Sequence, residues 1–181
     1  MLNEIQARED ERERLEIVER TKKEEEARLA LDRATRNMKK NTDEIKGITW
    51  ITHKNAPVLG KYVSLYFGSS NGSAKNYPLR MKLQYSDDDW LFVRSVTVKA
   101  DDKVYELGSM DFQRDNGSGT IWEWVDLPVE DLAMVSHWMS AAKVVVRFNG
   151  DKYYDDLTLT AGQRTQMREV FDAWRGMGGS R

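Results

Sequence analysis

Acid–base or metal chemistry in this chain would have to come from His53 and His137 and from three runs of acids, Asp87-Asp88-Asp89, Asp101-Asp102 and Asp155-Asp156. A general base needs a partner within hydrogen-bond reach, and neither histidine has one nearby in sequence. His53 falls on an expected strand and His137 on an expected helix, where a satisfied or surface imidazole is the simpler reading. Adjacent aspartates on a strand point to opposite faces, so adjacency does not make a carboxylate dyad. The first two runs sit at expected turns, where Asp is favoured by local hydrogen bonding. Calcium at Asp87–Asp89 or at Asp115-Asn116-Gly117 would lack the alternating oxygen ligands and distal Glu of an EF-hand loop. HExxH, GxSxG, GxxxxGK and dinucleotide-binding patterns are absent. No Cys is present, which removes thiolate nucleophiles and Cys-ligated zinc. The expectation is no catalytic residue, no metal and no cofactor. The alternative chemistry is a hydrolase of unrecognised class that joins Asp155 or Asp156 to His53 or His137, and it requires those side chains to share one pocket.

The tryptophans are more informative. All six (Trp50, Trp90, Trp122, Trp124, Trp138 and Trp174) follow residue 47. Core is the simpler expectation for the set, because Trp138 and Trp174 lie on helical apolar stripes. In Thr120–Val125, TIWEWV, strand alternation puts Trp122 and Trp124 on one face and Ile121, Glu123 and Val125 on the other. If the Trp face is exposed, with Tyr153 or Tyr154 nearby, it forms a binding surface, since aromatic clusters anchor interfaces and stack on sugars. Trp122, Trp124, Tyr153 and Tyr154 are thus the candidate partner-binding residues.

Position along the chain is set by the elements. Lys143–Phe148 and Lys152–Thr160 read as a hairpin joined by Asn149-Gly150, a pair suited to a type I′ turn. Thr160-Ala-Gly-Gln163 has capping-box spacing, and Met167, Val170, Phe171 and Trp174 form one apolar stripe before Gly176 stops the helix. Residues 129–141 read as another helix with Leu132, Val135, Trp138 and Met139 on its stripe. Ile48–His53, Lys61–Phe67, Leu79–Tyr85, Trp90–Lys99, Lys103–Leu107 and Thr120–Val125 alternate as strands, and Asp115–Gly119 reads as a loop. About eight strands in hairpin order point to an antiparallel sandwich or open barrel.

The first 45 residues contain no Pro and no Gly and are dense in both charges. Acid-to-base pairs at i, i+4, such as Glu16–Arg20, Glu19–Lys23 and Glu24–Arg28, predict one charged helix about 65 Å long. Ala27, Leu31, Ala34, Met38, Asn41 and Ile45 fall at alternating spacings of four and three, which is the a/d pattern of a short coiled coil and a route to a homo-oligomer. The alternative is a solvated helix, or one packed on the β domain. The expected fold class is α+β. Residues 1–46 form a charged helical arm, and residues 47–181 form a Trp-rich antiparallel β domain with two short helices near its C-terminus. Net charge is −2, which gives no basic footprint for nucleic acid. No apolar run approaches the ~20 residues of a membrane-spanning helix.

The order YPLRMKLQY … DWLFVRSVTVKADDKVYEL … IWEWVDLP … KVVVRFNGDKYYDDLTLT resembles uncharacterised bacterial or phage-associated envelope proteins of lipoprotein-like build. In these, a charged helical segment precedes a small β domain. The resemblance implies an envelope or surface setting and no catalysis. Here neither a signal nor a lipidation Cys stands ahead of the helix. A periplasmic or envelope location is therefore expected if a signal has been removed, and a cytoplasmic one otherwise. The functional expectation is a non-enzymatic binding or scaffolding module: the arm spaces, oligomerises or docks, and the β domain binds a protein partner. A phage-encoded or host-defence inhibitor acting in the cytosol is the alternative with the same fold.

Overall fold

The computed structural model describes residues 2–180, with side chains from Gln6 onward. Helix α1 (Leu2–Thr35) leads into ten strands: β1 (Met38–Asp43), β2 (Ile48–His53), β3 (Tyr62–Ser69), β4 (Leu79–Asp87), β5 (Ser95–Ala100), β6 (Lys103–Ser109), β7 (Gln113–Gly117), β8 (Thr120–Pro128), β9 (Val144–Asn149) and β10 (Tyr154–Thr158). Helix α2 (Leu132–Ser140) separates β8 from β9, and α3 (Ala161–Gly176) follows β10. Every pairing is antiparallel, in a six-stranded sheet ordered β1-β2-β3-β4-β8-β7 and a four-stranded sheet ordered β10-β9-β5-β6. The expected α+β architecture is therefore what forms.

One core fills the space between the sheets. Leu83 and Tyr85 of the larger sheet face Val96, Val98, Val146 and Phe148 of the smaller, and the Tyr85 and Phe148 rings lie 6.0 Å apart. Helix α3 covers β2 and β3 with Met167, Val170 and Trp174. Its N-terminus carries the expected capping box, with both reciprocal Thr160–Gln163 hydrogen bonds made. The helix ends at Gly176, and the left-handed residue that turns the chain is Gly178 (φ 93°). Gly179 then crosses Trp174 so closely that a Cβ there would sit 2.2 Å from the indole.

Beside β7, a strand over Gln113–Gly117 where Asp115–Gly119 reads as a loop, three elements differ from the sequence reading. The arm is shorter than expected: α1 ends at Thr35, and the boundary placed at residue 46 falls inside the β1–β2 turn. The Asp43 carboxylate accepts from the N–H groups of Ile45 and Lys46, and Gly47 takes φ 65°, so the turn is built by Asp and Gly chemistry. Second, the β9–β10 connection spans Gly150–Tyr153, not a two-residue type I′ turn. Asn149 is the last strand residue, and its amide donates to the hydroxyls of Ser95 and Thr97. Gly150 is required by crowding, because a Cβ there would lie 2.0 Å from the Leu91 carbonyl oxygen. Third, the expected Trp90–Lys99 strand begins only at Ser95 and runs to Ala100, while Phe92 takes φ 55°.

The coiled-coil stripe is dismantled by the same facts. Leu31 and Ala34 pack on α3 beside Gly176. Met38 and Asn41 sit on β1, Ile45 is 98% exposed in the turn, and Ala27 is exposed on α1. These six residues do not share a helix face. Of the expected ion pairs Glu19–Lys23 forms (2.8 Å), while Arg28 turns to Glu25 and Arg20 to Glu24.

Candidate functional site

The site is set by Glu123. In β8 it points into the core with Ile121, and it is fully buried. A lone buried carboxylate is costly unless it is paired and hydrogen-bonded. Glu123 is both: Oε1 accepts from the N–H groups of Leu91 (2.9 Å) and Phe92 (2.8 Å), and Oε2 accepts from Val93 N–H (2.8 Å) and Arg114 Nε (2.9 Å). These bonds take the N–H groups that Leu91–Val93 would need for strand pairing, which explains why that stretch is irregular. Because successive strand residues alternate faces, Trp122 and Trp124 must point outward. The question left open by the sequence is thereby decided: this pair is not core but half-buried on the outer face of the six-stranded sheet.

There the indoles line an open groove of about 810 Å³. Gln84 and Ser86 of β4 lie opposite Trp124 and Trp122. The loop between β2 and β3 folds over this face and forms one wall with Val58 and Leu59, which are 77% and 83% exposed. The loop is held by Gln84, whose Nε2 donates to the Gly60 carbonyl (3.1 Å) and whose Oε1 accepts from Tyr62 Oη (3.0 Å). The opposite wall is the β7–β8 turn, where Gly117 and Ser118 leave the Trp122 ring uncovered; a Cβ at 117 would come within 3.4 Å of it. Lys82 Nζ stands 5.7 Å from the Trp124 ring centroid and 5.9 Å from that of Tyr62.

Beyond the groove the same face carries Trp50, Tyr66, Arg80 and Asp126. Tyr66 donates to the Asp126 carboxylate and accepts from Arg80 Nε (2.9 Å), while Arg80 also binds Asp126 (2.8 Å). Burial and the hydrogen bond to Asp126 push the Tyr66 hydroxyl up to about 12. Trp50 packs on Tyr66 with ring centroids 5.8 Å apart.

Tyr153 and Tyr154 are not part of this surface. Tyr154 lies on the outer face of the other sheet, stacked under Arg147 (3.8 Å), and Tyr153 is exposed in the β9–β10 turn. The grouping fails because the two strands belong to different sheets, whose outer faces point in opposite directions. The groove walls Val58 and Leu59 were missed, since a loop shows no periodicity. The faint signal was an adjacent Val-Leu pair ahead of Gly60 in a stretch with turn residues.

The histidine–aspartate set does not assemble. His53 Nδ1 accepts from Asn55 N–H (3.1 Å), so Nε2 carries the proton and donates to Glu169 (2.7 Å). Partial burial acts to raise the Glu169 carboxyl, but hydrogen bonds from Asn37 and His53 outweigh it and hold it below the usual carboxylate range. His137 Nδ1 meets Tyr105 Oη (2.7 Å). Asp155 pairs with Lys61 (2.7 Å) and Asp156 with Arg147 (2.7 Å). Asp101 binds the Ala142 and Lys143 N–H groups, and Asp115 caps its own turn at Asn116. No group of three metal-ligating side chains comes together among the described residues.

No protein-family model matches the chain, and comparisons with curated proteins and with solved structures find no significant match. No helix among the described residues is long and apolar enough to cross a membrane.

Proposed function

We propose that the protein is a non-enzymatic binding module in which the outer face of the six-stranded sheet takes a protein partner and α1 acts as a spacer. The observation that carries this reading is the inward turn of Glu123, which places two tryptophans in an open groove beside two exposed aliphatic side chains. Aromatic anchors in a concave, partly desolvated setting are what interface hot spots are made of. Large exposed apolar groups clustered on one face mark interaction surfaces. An envelope protein and a cytosolic inhibitor would use this surface alike and differ in the partner alone.

A photo-reactive amino acid at Leu59, in an extract of the source cells, tests the reading. The expected result is a discrete protein adduct that disappears in the W122A/W124A double variant, whose unfolding stays cooperative. Adducts indifferent to the double substitution, or equally strong from Thr158 on the opposite outer face, would overturn it.

A further inference from the structure

The groove has a charge signature. Its lining holds one cation, Lys82, and no acid, in a chain with 30 acidic residues. Lys82 Nζ has neither a hydrogen bond nor an ion pair among the described residues; its neighbours are two aromatic rings. The carboxylate directly opposite it in register, Asp126, is already bound by Arg80 and Tyr66. Lys82 is half-buried as a residue, and a charge-assisted hydrogen bond from its ammonium to a ligand carboxylate is the strongest polar contact this lining offers. The rest of the lining is two indoles and the Val58 and Leu59 side chains, edged by the Gln84 amide and the hydroxyls of Ser86, Ser118 and Thr120. A saccharide would stack on the same indoles and meet the Ser86, Ser118 and Thr120 hydroxyls, but it would leave the Lys82 charge unanswered, and it is the competing occupant in the test. One cation is too few for nucleic acid, whose binding depends on several phosphate contacts. The volume of about 810 Å³ lies high in the roughly 300–1,000 Å³ range of small-ligand pockets, which suits a short chain segment.

We propose that the occupant is a peptide segment of the partner protein in which a carboxylate adjoins an aliphatic or aromatic side chain. The carboxylate meets Lys82, and the apolar side chain lodges between Leu59 and the two indoles. This rests on the groove being the binding face.

The test is selection from random peptides displayed on phage against the purified full chain, with W122A/W124A as the counter-target. The expected winners place Asp, Glu or a free C-terminal carboxylate next to an apolar residue. They should bind K82M roughly tenfold or more weakly, at an unchanged unfolding midpoint, and K82E should select basic peptides instead. Enriched peptides without an acid, or ones that bind K82M as tightly, overturn the acidic class while the binding face stands. No enrichment over W122A/W124A overturns both, as does binding confined to a glycan array.

Discussion

At the scale of single residues, a carboxylate where an aliphatic side chain is expected decides where the aromatic surface lies. Removing one partner of a buried, hydrogen-bonded charge costs about 3–5 kcal/mol. Glu123→Ala is therefore expected to lose stability of that order in urea denaturation, and to free Leu91, Phe92 and Val93 N–H for hydrogen exchange. Glu123→Gln should recover little of the loss, because its NH2 group would face donors. A midpoint unchanged in either variant would show that Glu123 does not hold the 91–93 segment. Gly150→Ala, with its Cβ 2.0 Å from the Leu91 oxygen, should cost about 1–3 kcal/mol by overpacking the same junction. Tyr66 gives a pH test. Its folded pKa of about 12 lies above the ~10 of a free phenol. Its contribution to stability is thus complete below pH ~10 and lost as pH rises through about 12. Ultraviolet titration of the wild type against Tyr66→Phe should show one phenol ionising late; its absence would mean that burial and the Asp126 hydrogen bond together do not hold this phenol neutral.

At the scale of elements, legibility followed whether an element is held by its own side chains or by backbone pairing. The β9 run of valines with Phe148, and the Thr160–Gln163 box ahead of the α3 stripe, declare themselves because burial and capping act on residue type. β7, QRDNG, is exposed throughout and is held by pairing with β8, so no periodicity reveals it. β1 was hidden by the chance spacing of Met38, Asn41 and Ile45, although Asp43 and Gly47 are ordinary turn residues. The alternation of TIWEWV was readable; which face met solvent depended on the distant Leu91–Val93 backbone. The corrected boundary is testable. A chain starting at Asn37 keeps β1 and the Asn37–Glu169 hydrogen bond (3.0 Å), and should still unfold cooperatively, its midpoint lowered only by the loss of Leu31 and Ala34 from α3. One starting at Lys46 exposes the edge of β2 and leaves Glu169 with His53 alone. It should be measurably less stable and more prone to associate through that edge. Equal midpoints for the two would mean β1 adds nothing to the sheet.

At the scale of the whole molecule, the question is what the arm does once its apolar residues are accounted for. Leu31 and Ala34 are occupied by α3, and residues 6–30 are exposed all round. Among the described residues Leu15, Ile17, Val18 and Leu29 remain; Leu15, Val18 and Leu29 fall on one 3.5-residue seam, but Lys22 and Glu25 fill the positions between them and interrupt it with charge. Three apolar residues in two heptads are too few to hold a two-stranded seam, and the full chain is expected to be a monomer by light scattering on a sizing column, as is the chain starting at Asn37. The docking at α3 predicts a second result: replacing both Leu31 and Ala34 with Asp should release the arm and raise the radius of gyration in X-ray scattering, with the monomer mass unchanged. A dimer of the full chain that becomes a monomer on removing the arm would contradict this. It would also move the oligomer contact to the exposed segment ahead of Leu31, which the monomer leaves unpaired.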